Sequence, residues 1–141
     1  MPSEPRSEST RAPYWYSYAI LRVVPRIERG EFVNVGVILF VRTIGFLETR
    51  LALDEVRLRA ITPGVDLESI KRHLDTFEAI SAGAIGSGLI ADQPPSERFH
   101  WLTSPRSTMI QTSPIHVGWC VDPTATLDEL LDIFVRPPEP A

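Results

Sequence analysis

Along this chain of 141 residues, apolar positions recur first at every second residue and later at every third or fourth, and the change of period marks out its elements. Residues 15–24 (WYSYAILRVV) are dense in aromatic and branched side chains and run into Pro25, which predicts a strand. Residues 25–31 read as a connection with Gly30 near its tip. Residues 32–41 read as a second strand, apolar on both faces as in the interior of a sheet covered on each side. Together they predict a hairpin. After a turn over residues 42–45, Leu47, Thr49, Leu51 and Leu53 alternate with Phe46, Glu48, Arg50 and Ala52, a third strand with one more polar face.

The period then becomes helical. Asp54 is placed to cap a short segment that holds Val56 and Ile61 and stops at Pro63 and Gly64. Asp66 is placed to cap a longer helix, in which Leu67, Ile70, Leu74, Phe77 and Ile80 fall on one face and Gly83 takes the left-handed C-terminal position. Pro94, Pro95 and Ser96 introduce a third helix over residues 97–103, with Phe99 and Leu102 turned inward. Residues 107–121 are expected to be extended and interrupted at Pro114. Thr126 and Glu129 predict a capping box for a last helix through Leu127, Leu130, Leu131 and Phe134. This order predicts a single α+β domain over residues 14–135, with an antiparallel sheet begun by the N-terminal hairpin and helices packed on it. Residues 1–13 and the proline-rich residues 136–141 read as disordered tails, since neither holds enough apolar surface to offset the entropy of ordering it.

Charge changes this picture in one respect. The net charge of −4 argues against a general DNA-binding protein, because phosphate neutralisation dominates non-specific binding. Residues 20–60 hold seven arginines against five acids, whereas residues 92–141 hold seven acids against three arginines, so the two halves differ in sign. Thirteen of the fourteen basic residues are arginine, which suits bidentate capture of carboxylate or phosphate and also follows from an arginine-rich codon usage. The lone Cys120 excludes an internal disulfide framework, and since no amino-terminal apolar stretch resembles a signal peptide or a membrane span, the cytoplasm is the default expectation, with no membrane partner.

Candidate chemistry is sparse. The run GAIGSG (residues 83–88) lacks dinucleotide-fingerprint spacing and follows a helix where that motif needs a strand. Ser107, His116 and Asp122 can be written as a triad, but without a nucleophile elbow. His116, Cys120 and His100 lack paired-ligand spacing, so neither a metal nor a cofactor is expected. Tyr14, Trp15, Tyr16 and Tyr18 crowd the start of the first strand, with Trp101 and Trp119 near the second polar region. Such residues stack nucleotides or build a protein interface, and the acidic balance favours the interface.

Two polar-rich blocks stand out. The first comprises Tyr16-Ser17-Tyr18, Arg22-Val23-Val24-Pro25-Arg26 and Glu28-Arg29-Gly30-Glu31-Phe32-Val33-Asn34-Val35-Gly36-Val37. The second comprises Arg98-Phe99, Pro105-Arg106-Ser107-Thr108, Gln111-Thr112-Ser113-Pro114 and His116. In order and spacing they resemble the bacterial domain-of-unknown-function 3037 family (DUF3037) over about residues 14–135. That resemblance implies no activity. It implies a gene neighbourhood shared with HipA-like serine/threonine kinases, and hence a small partner of such a kinase.

Within the first block, Arg22 sits among apolar strand residues and calls for a carboxylate or an anion, with Glu28 and Glu31 the nearest acids in sequence. Arg22, Glu28, Arg29 and Glu31 are therefore expected to form either a salt-bridge cluster that pins the hairpin, with Asn34 tied to the turn backbone, or a binding surface that also includes Arg26. Arg106, Ser107, Thr108, Gln111 and His116 read either as a Ser/Thr-rich connection bonding its own backbone or as an anion pocket. If the blocks share a site, Arg22 or Arg29 should lie near Arg106 or His116. The reading is an interaction or regulatory module rather than an enzyme. The rival is a small enzyme or sensor for a phosphorylated or anionic ligand, held by Arg22, Arg26, Arg29, Arg106 and His116.

Overall fold

β1 (Tyr14–Val23) and β2 (Val33–Val41) pair antiparallel as the hairpin that the sequence predicts. Their connection is a 3-10 turn, Ile27–Arg29, closed by Gly30 at φ 69°, a left-handed conformation that glycine adopts without a Cβ penalty. This is a computed structural model, and it describes residues 13–106 and 108–138. Of the expected tails, residues 1–12 and 139–141 lie outside the described residues, as does Ser107.

The hairpin is not a simple ladder. Leu21 pairs with Gly36 but Arg22 with Asn34, so Val35 is an extra residue on β2, and its carbonyl turns away to accept from the Ala52 amide at 2.8 Å. Gly36 is required at this bulge, because a Cβ there would lie 2.8 Å from the Arg50 carbonyl oxygen of the neighbouring strand. That strand, β3 (Phe46–Leu51), pairs with the outer side of β2.

The free side of β1 receives two short strands in succession. β4 (Ile110–Thr112) lies against residues 21–23, and β5 (His116–Cys120) against residues 14–18. Between them Ser113, Pro114 and Ile115 face only Ala19 and Ile20, one residue too many for a regular ladder. Pro114 has no N–H, and Ser113 compensates. Its amide donates to the Ile20 carbonyl and its hydroxyl accepts from the Ile20 amide, each at 2.8 Å, so a side chain takes over a ladder position. The sheet thus runs β3-β2-β1-β4, with β5 on the same edge as β4.

Four helices cover it. α1 (Glu55–Ile61) and α2 (Leu67–Ala82) are capped by Asp54 and Asp66 as expected, through bonds from the Arg57 and Ser69 amides, and Gly83 ends α2 at φ 65°. α1 turns Leu58 inward, whereas Val56 is 76% exposed and Ile61 37% exposed, so the two residues picked from the sequence are not its core contacts. α3 (Pro95–Thr103) buries Phe99 and Leu102. α4 (Pro123–Phe134) starts earlier than the Thr126 capping box would put it. Asp122 accepts from the Ala125 amide and Pro123 occupies the first helical position, where its missing N–H costs nothing.

Strand alternation sends Leu21, Val23, Ile38 and Phe40 to one face, against Leu58, Ile70, Leu74, Phe77, Phe99 and Leu102 of α1 to α3. Ile20, Val37, Leu39 and Val41 go to the other, against Leu127, Leu130 and Leu131 of α4. The result is a three-layer α+β domain in which β2 is buried on both sides, as its unbroken apolar run requires. Among the described residues no helix is long and apolar enough to cross a membrane.

Candidate functional site

The charges of the β1–β2 connection resolve into two separate exposed pairs rather than one cluster. Arg26 donates to Glu28 at 3.1 Å and Arg29 to Glu31 at 2.8 Å. The Glu28 carboxyl is held below its ordinary range by a backbone amide of its own residue and then by Arg26, and that of Glu31 by the hydrogen bond from Arg29. Exposed pairs of this kind add little to stability.

Arg22 belongs to neither pair. Its guanidinium carbon lies 4.2 Å from the centroid of the Phe32 ring, so an aromatic face replaces the expected carboxylate, and among the described residues Nε has no hydrogen-bond partner. Asn34 does not bond the turn either. Its Nδ2 donates to the Phe134 carbonyl at 3.0 Å and ties the start of β2 to the end of α4. The sequence could not disclose this, because the partner lies 100 residues away.

Register brings the blocks together at one point. Arg22 is paired with Asn34 on one side and Gln111 on the other, so the three form a row across the sheet on the α4 side. His116 shares that face, opposite Tyr18, with ring centroids 5.4 Å apart. Arg106 does not join them. It lies on the opposite side of the sheet, with its guanidinium 5.1 Å from Phe77 and 4.8 Å from Trp101, and donates to the Leu102 and Trp101 carbonyls at the end of α3. Burial pushes its pKa down.

The other hydroxyls and amides of the second block bond backbone. Thr108 donates to the Ile110 carbonyl, Gln111 to that of Thr108, Thr112 to that of Thr103 and Ser113 to that of Pro114. This is the self-bonded connection among the two readings of that segment. Ser107 lies outside the described residues. Asp122, the acid of the written triad, is the cap of α4. His116 and Cys120 share the α4 side of β5, whereas His100 sits on α3 across the sheet. Tyr16 lies over Gly118, where a Cβ would fall 2.6 Å from its ring, and burial, then neighbouring Tyr18, raises its pKa.

A concavity between α3 and the sheet lies elsewhere. At the Tyr14 end of β1 the face toward α3 is only partly covered, and a groove of about 460 Å³ opens between α3 and the sheet. Phe40 and Phe99, stacked at 5.1 Å, lie with Ile115 and Val117 on its apolar side. Trp15 forms one end and is itself stacked on Trp119 at 5.4 Å with 13° between the planes. Arg42, His100, Ser17, Thr43, Ser96 and Thr103 supply polar atoms. A second, shallower concavity lined by Pro105, Arg106 and residues 111–115 shares Thr103 and Ile115 with it. Trp15 is 65% exposed, Trp119 62% and Val117 70%, an apolar surface at the open edge of β5.

Of the residues lining this groove, the sequence marks only Trp15 and Tyr16, as stacking or interface residues, and His100, as a weighed metal ligand. The groove needs four separate segments, and only the fold assembles them.

Comparison with curated proteins and with solved structures finds no match. A family model described as protein of unknown function (DUF3037) matches residues 18–135, which include both polar blocks apart from Tyr16 and Ser17 and every strand and helix of the domain apart from the start of β1, and the chain belongs to that family.

Proposed function

We propose that the protein is a cytoplasmic interaction module whose docking surface is the exposed aromatic end of its sheet, with a HipA-like serine/threonine kinase as its partner. The observation that carries this reading is the stacked Trp15–Trp119 pair, exposed beside Val117 and the edge of β5 that has no partner strand among the described residues. A contiguous apolar surface of this kind marks interaction sites, and an open strand edge offers backbone groups to an added strand. The kinase rests on the family resemblance alone.

Co-expression with a kinase encoded beside the gene, followed by size-exclusion chromatography, tests both parts. The complex should form with the wild type and weaken at least tenfold with Trp119→Ala, a truncation of an aromatic anchor. It should persist when Arg29 and Glu31 are both replaced by alanine, since that pair is exposed and satisfied within the connection. If the double replacement abolishes binding while Trp119→Ala does not, the docking surface is the hairpin connection. If no complex forms, the kinase is not the partner.

A further inference from the structure

We infer that the groove between α3 and the sheet is a binding site for a small anionic molecule carrying a planar apolar ring system. Its volume of about 460 Å³ falls within the range of small-molecule pockets. The ring requirement comes from Trp15, Phe40, Phe99, Ile115 and Val117, which present flat or branched apolar surface that a polar ligand would desolvate without return. The charge requirement comes from what else lines it. Arg42, His100 and Tyr16 are its titratable groups, and among the described residues neither Arg42 nor His100 makes a side-chain hydrogen bond or an ion pair.

Carboxylates are missing from this surface in a chain whose net charge is −4. Among the described residues none lines the groove, and none lines the concavity that continues from it through Thr103 and Ile115. Glu97, the acid in the first turn of α3, lies outside both linings. The hydroxyls of Ser17, Thr43 and Ser96 are likewise unclaimed by side-chain bonds within the described structure, whereas those of the second block are consumed by backbone. A guanidinium and free hydroxyl donors at the rim of an apolar slot favour an anion tethered to a ring over either group alone. This inference does not depend on the kinase, because it concerns the isolated protein.

Three probes separate the two requirements: 2-naphthoate has ring and charge, 2-naphthalenemethanol the ring alone, and acetate the charge alone. Each is titrated into the full chain, with binding followed by backbone amide shifts in NMR. Naphthoate should shift the amides of Ser17, Thr43, Ser96, His100 and Val117 along one saturating curve. The alcohol should bind there roughly tenfold more weakly, and acetate should leave these amides unmoved. Arg42→Gln, at an exposed residue outside the core, should bring naphthoate down to the affinity of the alcohol. The inference is overturned if naphthoate shifts other surfaces or none, if acid and alcohol bind alike, or if Arg42→Gln leaves naphthoate affinity unchanged. Kinase binding by Arg42→Gln reports separately on the interaction reading.

Discussion

The two ends of β1 are built from the same alternating pattern and are treated in opposite ways by the rest of the chain. At residues 21–23 the strand lies between β2 and β4, with Leu21 and Val23 fully buried under the helical layer. At residues 14–18 it pairs with β5, only residues 17 and 18 also pair with β2, and the same face carries the exposed Trp15. The difference is the reach of α3, which covers Phe40 through Phe99 and leaves the sheet beyond it open. Identical local propensity thus gives core at one end and a recognition surface at the other, and the decision is made by a helix about eighty residues away in sequence.

Removing Leu21 should break the buried end most strongly. Leu21→Ala is expected to cost about 2–5 kcal/mol in urea denaturation, the usual range for a fully buried leucine. Ser113→Ala comes next. It strips the acceptor from the buried Ile20 amide where Pro114 interrupts the edge, and should cost about 1–3 kcal/mol. A variant as stable as the wild type would mean that the backbone closes the ladder unaided.

Trp119→Ala, at the open end, should change stability by less than about 1 kcal/mol, because most of that side chain is already in water. A loss comparable to that of Leu21→Ala would merge the two ends into one core and remove the contrast. The smallest effect is electrostatic. The hydrogen bond from Lys71 holds the Glu55 carboxyl below its ordinary range, so its contribution is present above the unfolded-state pKa and is lost as pH falls through the lower, folded value. Urea midpoints of wild type and Glu55→Gln should therefore differ slightly at neutral pH and converge in acid. A difference that grows on acidification would reverse the sign.

Local rules carried the sequence far into this fold. The apolar face of α2, its Asp66 cap and its Gly83 stop all lie within sixteen-odd residues of one another, so period and capping chemistry suffice to place them. The hairpin was legible for the same reason. Residues whose partners are remote were not. Arg22 was assigned a carboxylate because Glu28 is near in sequence, but the structure supplies Phe32 instead. Asn34 looked like a turn residue and bonds the far end of the chain. Phe40, Phe99 and Arg42 each read as ordinary strand, helix or turn positions, and nothing in their spacing says that they border one groove with Trp15.

One feature of the topology bears on how the protein is made. The partners of β1 along its second edge are residues 110–120, and the cover of its second face is α4, residues 123–134, so the strand is completed by segments that leave the ribosome well after it. Synthesis of the intervening chain takes on the order of ten seconds. Throughout that interval the nascent hairpin presents an unpaired edge and an apolar flank that includes Ile20, Val37 and Leu39, the kind of surface that recruits chaperones or neighbouring chains. A chain released before Ile110 would lack both the strands that close this edge and the helix that covers this flank, leaving a half-built hairpin rather than a smaller domain.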